Sequence, residues 1–166
     1  MIPWHRSHRD RPEHEIPDYT PAIYGSLLVT TLTVVQWHDN NGAELIALSL
    51  LISVVVFWLT HVWSAVVNRR VHGGVGPPSS EIARTEATML TAAVLPALVL
   101  TLPRLTGMDP DTAIGAALLV SLAQLFLWGL AVGRIAHEGW PMALAVASVD
   151  CAFGILIVVL KVIVLH

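Results

Sequence analysis

Five uncharged, mostly apolar stretches follow one another along this chain, and each is long enough to cross a bilayer as a helix. They run over Thr20–Trp37, Leu45–Asn68, Ala87–Pro103, Thr112–Gly133 and Pro141–Leu160, the last interrupted by Asp150. A hydrocarbon core of about 30 Å takes roughly 20 apolar residues at about 1.5 Å each. Only helices and closed barrels satisfy their backbone there, and these runs lack the alternation of barrel strands. The expected fold is therefore all-α: a polytopic membrane protein, a bundle of five transmembrane helices over 20–166, preceded by a polar tail over 1–19.

Composition supports this. The chain is 55% hydrophobic and 13% charged, against about 25% charged in soluble domains. Its 166 residues leave no room for a separate soluble domain beside five spans. The single cysteine, Cys151, lies inside the fifth stretch, which excludes a disulfide framework and a cysteine metal site. The net charge of −3 offers no basic patch for nucleic acid. Residues 1–18 mix Asp10, Glu13, Glu15 and Asp18 with arginines and begin no apolar run, so no cleavable signal peptide is expected.

Orientation follows from the nine Lys and Arg residues. Seven (Arg6, Arg9, Arg11, Arg69, Arg70, Arg84 and Arg134) fall on one side of the expected topology and two (Arg104 and Lys161) on the other. The positive-inside bias puts the N-terminus in the cytoplasm and the C-terminus outside. Short connections make successive helices antiparallel neighbours. Asp111 is placed to cap the fourth span and Ser80 to cap a short amphipathic lead-in ending at Glu86. Pro96, in the middle of the third span, predicts a kink.

Polar residues inside a membrane are functional candidates, because burying them in lipid is costly. Asp150 shares a helical stripe with Ala143, Ala147, Gly154 and Lys161. His61 shares a face with Ser53, Ser64 and Asn68. Helical rise places His61 and Asp150 at comparable depth in the cytoplasmic half, so they are expected to form one buried polar site able to share a proton. Each has a plainer reading too: His61 bonded to a neighbouring carbonyl, Asp150 in a quiet buried hydrogen bond, Lys161 snorkelling to the outer surface. Gln124, with Ser121 and Trp128, suits an interhelical hydrogen bond or a place on an ion path. Ser26, Thr30 and Thr33 form a hydroxyl stripe suited to close helix packing or a wet path. Gly129 and Gly133 form a small-residue motif for packing within the bundle or between copies. His5, His8 and His14 belong to a solvated tail and not to a metal site.

The chain has no HExxH, GxSxG, Walker or CxxC motif, and Gly73–Gly76 lacks the preceding strand of a dinucleotide fingerprint. Paired carboxylates or a nucleophile with its base are also missing, so no enzyme and no cofactor is expected. The Tyr24–Gly25 pair, the run Trp58–Trp63, the Glu86…Pro96 segment and the closing stretch Leu160–His166 resemble a family of small multi-pass membrane proteins widespread in actinobacteria. The resemblance spans nearly all the chain from Tyr24 onward. It implies a bacterial inner-membrane location, points to His61, Glu86 and Lys161, and brings no established activity; Asp150 has no place in its pattern. Three roles remain open. One is a small channel or transport protein, possibly a homo-oligomer, with protons or cations passing Asp150, His61, Gln124 and Glu86. The second is a non-catalytic accessory or scaffold subunit of a larger membrane complex. The third and weakest is an enzyme acting on lipid, for which paired carboxylates or a nucleophile constellation at the interface are missing.

Overall fold

Long apolar runs broken by Gly, Pro and Asp give helices broken at those residues. The computed structural model describes residues 19–39, 42–71, 73, 77–136 and 139–165. They form six helices: α1 Thr20–His38, α2 Ala43–Val71, α3 Ser79–Glu86, α4 Thr88–Thr106, α5 Pro110–Ala136 and α6 Trp140–Leu165. No strand occurs among the described residues. Residues 1–18, with His5, His8 and His14, lie outside them.

Local chemistry sets the breaks. α4 stops at Gly107, whose φ of 71° only glycine adopts freely, and whose N–H closes the last turn on the Pro103 carbonyl at 3.0 Å. Two residues on, Asp109 caps α5. Its Oδ2 accepts the backbone N–H of Thr112 at 3.0 Å and that residue's hydroxyl at 3.1 Å. This corrects the expectation of Asp111 as the cap. With Pro110 opening the helix, the residue before it is the one whose side chain reaches the free N–H groups. Asp111 lies in the first turn and accepts the Trp37 indole at 3.0 Å, joining α1 to α5. Ser80 is likewise no cap: α3 begins at Ser79 after extended Pro78, without a side-chain cap bond. Helix α4 runs on through Pro96, which is buried within it.

Four helical segments are long and apolar enough to cross a membrane: Ala43–Val71, Ser79–Thr106 (α3 running into α4), Pro110–Ala136 and Trp140–Val164. Helix α1 falls outside that set, so length and composition alone support four of the five expected spans. The reason lies in its environment. α1 rests chiefly on α4 and α5, and also on α6 and α2. Pro21, Ala22, Gly25, Ser26, Val29, Thr30, Thr33 and Val34 are buried there. A helix wrapped in other helices does not have to be apolar all round, and α1 holds small and hydroxyl residues in place of leucines.

Those hydroxyls are satisfied within α1. Ser26, Thr30 and Thr33 donate to the carbonyls of Ala22, Ser26 and Val29 at 2.8–2.9 Å. With 0–1% of their surface exposed they serve close packing and line no wet path. Gly25 does the same: a Cβ there would come within 2.7 Å of the Met89 carbonyl. Around α1, the core joins Val29, Ile46, Leu50, Met89, Leu100 and Ile114. Outward, Leu119, Leu127, Phe153, Leu156 and their neighbours stand exposed, as lipid-facing residues do.

Candidate functional site

The acid–base chemistry of the described spans gathers where α2 meets α3. Three residues of α2, Phe57, Trp58 and His61, occupy adjacent turns of one side of the helix. The Trp58 indole donates to the Ala83 carbonyl at 3.1 Å, which pins α3 onto α2. With α3 held there, Glu86 brings its Oε2 to 3.6 Å from His61 Nδ1. That distance is beyond a hydrogen bond but within ion-pair range, so the two groups attract as an ion pair whenever the imidazole carries a proton. The two side chains are 35% and 20% exposed. Phe57 packs on the imidazole with ring centres 4.7 Å apart, and Tyr24 of α1 lies 6.3 Å away. Glu86 Oε2 is buried and accepts no hydrogen bond.

Asp150 is elsewhere. Its stripe on α6 is the face turned to α5: Ala143 and Ala147 are fully buried, and a Cβ at Gly154 would strike the Leu122 and Leu125 side chains. Asp150 Oδ2 lies against Gly129, where a Cβ would stand 2.5 Å from it. That oxygen is buried without a hydrogen-bond partner. The expected His61–Asp150 pair is therefore not formed. Depth along a span fixes neither rotation nor helix order: α2 packs on α4, α1 and α3, whereas α6 packs on α5 and α1.

Gln124, 8% exposed, ties α5 to α4, its Nε2 donating to the Thr91 carbonyl at 3.5 Å. Its Oε1 has no partner, and neither does the Trp128 indole one turn along, over which Tyr19 stacks at 5.4 Å. Gly129 and Gly133 are used within one chain. A Cβ at Gly129 would lie 2.8 Å from Ala147 Cα, and one at Gly133 2.6 Å from Ala143 Cα. The glycine face is thus covered by α6. Arg134, stacked over Trp140 at 4.3 Å, closes the end of the α5–α6 pair. Lys161 is half-buried on the last turns of α6.

Both carboxylates belong to the same end of the bundle as the first turns of α4. Gly25 abuts Met89, Gln124 reaches Thr91, and Gly129 abuts Asp150 one turn beyond. No group of three or more His, Cys, Asp or Glu able to hold a metal ion occurs among the described residues. Comparison with protein-family models, curated proteins and solved structures finds no match to this chain. The site is read from its own geometry.

Proposed function

We propose that this chain is a small transport protein of a bacterial inner membrane that moves protons or cations, with the His61–Glu86 pair as its working site. The carrying observation is an imidazole and a carboxylate 3.6 Å apart at the α2–α3 junction, with the acid's facing oxygen buried and not hydrogen-bonded. Such a pair exchanges a proton with little rearrangement, and histidine is the side chain whose charge changes nearest neutral pH. Asp150, a second carboxylate within the spans, is the next station on this reading, with Gln124 between the two on α5. α1 completes the bundle as a fifth span: its 19 residues measure about 28 Å, close to the hydrocarbon thickness. The arginine distribution supports a cytoplasmic N-terminus and an outer C-terminus.

The test is proton flux in vesicles containing the purified chain and a trapped pH-sensitive dye. Flux above protein-free vesicles is expected, falling at least tenfold in Glu86→Gln and in His61→Ala, with the double variant no worse than either. Vesicles no leakier than protein-free ones would overturn the transport reading and leave the accessory-subunit role in its place. Reporter fusions at the two ends check the topology: signals from opposite sides support five spans, and signals from the same side support four.

A further inference from the structure

At the end of the bundle away from His61, the α4–α5 turn and the first turns of α2 enclose an open groove of about 620 Å³. Its walls are Ala43, Leu45 and Leu48 of α2, Pro103 of α4 and Pro110 of α5, with Glu44 at its rim. Leu45 and Leu48 are each 55% exposed, so the groove opens sideways, toward lipid. Across the rim, Glu44 Oε2 and Arg104 Nη1 stand 3.4 Å apart, with side chains 55% and 74% exposed. The groove also runs the right way. α2 has 29 residues, about 43 Å, which exceeds the hydrocarbon core, and with Glu44 in its first turn and Arg69 and Arg70 in its last, both of its ends lie at head-group depth. Leu48, one turn on from Glu44, sits about 6 Å deeper.

We propose that this groove holds a zwitterionic phospholipid. The lipid's primary ammonium lies on Glu44, its phosphate on Arg104, and one acyl chain runs over Leu45 and Leu48. Charge complementarity carries the assignment. The rim offers one carboxylate and one guanidinium side by side, matching a head group with one charge of each sign. An exposed pair of this kind is weak, so a head group can open it and pair with both halves at little cost. An anionic lipid fits less well, because its phosphate gains Arg104 but meets Glu44. Asp109 and Asp111 of the adjoining turn make that surface acidic. The volume is that of ordinary small-molecule sites, and the lining offers apolar contact to a chain.

The experiment is native mass spectrometry of the whole chain in detergent, with phosphatidylethanolamine and phosphatidylglycerol of identical acyl chains added in equal amounts. The wild-type chain is expected to retain the ethanolamine lipid at least fivefold over the glycerol lipid. Leu48→Trp fills the groove from an exposed position and should cut that adduct at least fivefold, whereas Leu119→Trp, on a lipid-facing part of α5, should leave it unchanged. Glu44→Gln removes the ammonium's partner and the repulsion together, so it should bring the ratio close to one with helical content intact. Equal or greater retention of the glycerol lipid by the wild type would overturn the proposal. So would Leu48→Trp and Leu119→Trp behaving alike.

Discussion

Gly133→Ala tests a close backbone approach between α5 and α6. A Cβ at Gly133 would stand 2.6 Å from Ala143 Cα, 3.1 Å from its carbonyl oxygen and 3.2 Å from its Cβ. Ordinary contact begins at 3.4 Å, so the shortfall against the Cα is 3.4 − 2.6 = 0.8 Å. The obstructing atoms are backbone or the first side-chain carbon, and no flexible side chain can turn away. Either α5 and α6 part by about that distance, or the end of α6 tilts. Parting two helices that pack along most of their length loses dispersion contact all along the seam. Overpacking costs about 1–3 kcal/mol, and an obstacle of backbone puts this case near the upper end.

The expected loss for Gly133→Ala is thus about 2–3 kcal/mol, or roughly 4–12 °C in melting temperature for a chain of this size. The assay is reversible unfolding by sodium dodecyl sulfate from bicelles, followed by circular dichroism. Gly115→Ala is the control, because nothing lies within 4 Å of its added Cβ; it should cost nothing. Adding Ala143→Gly to Gly133→Ala should rescue only a small part, since the Cα and not the Cβ is the nearest atom. If Gly133→Ala melts with the wild type, or if the double variant recovers full stability, the backbone-contact reasoning fails.

Asp109→Ala removes the two bonds that start α5 and should cost about 1 kcal/mol, whereas Asp111→Ala, which leaves the cap in place, should show slower amide exchange at Thr112 than Asp109→Ala does. Trp58→Phe keeps the ring but loses the indole bond to Ala83; a loss of about 0.5–1.5 kcal/mol is expected, with amide exchange in α3 rising more than in α4. Asp150→Asn replaces a carboxylate that has no hydrogen bond on Oδ2, so stability should hold or rise in the same unfolding assay, and a loss above about 1 kcal/mol would show that the carboxylate has a partner in the membrane.

Hydropathy made the helices legible, because lipid demands apolar residues over a fixed length and nothing else meets that demand. The α5–α6 seam was legible as well: Gly129, Gly133, Ala143 and Ala147 are small at helical spacing, and small residues let backbones approach. The partner of His61 was not legible. Position along a span gives depth, but which helix stands opposite depends on how the helices are ordered around α1, and no pattern within a single helix encodes that order. Glu86 was in view as a residue of note, yet it lay in a stretch read as a lead-in. The Trp58–Ala83 bond holds α3 against α2 and brings Glu86 to the imidazole. The Asp109 cap was missed for a smaller reason: two aspartates flank Pro110, and the proline, by taking the first helical position, selects the one before it.

The standing of α1 follows from the same physics as the site. A span that faces lipid on most of its surface must be apolar, and Trp140–Val164 holds an 18-residue stretch of mean hydropathy 2.5, of which 17% is buried. α1 is shielded by four neighbours, so the bilayer places little demand on its composition and close packing takes over. That exchange is visible in Ser26, Thr30 and Thr33, each bonded to its own helix and each too small to hold the surrounding helices apart. Their hydroxyls are thereby removed from any conducting role. Among the described residues, the buried side-chain polar atoms left without partners, on Glu86, Gln124, Trp128 and Asp150, lie on α3, α5 and α6 and toward one end. In a medium with no water to satisfy them, unpartnered groups are retained against a cost. A transport role places that cost where a proton or cation would need to pause, and leaves the well-satisfied α1 as the scaffold around which those helices are set.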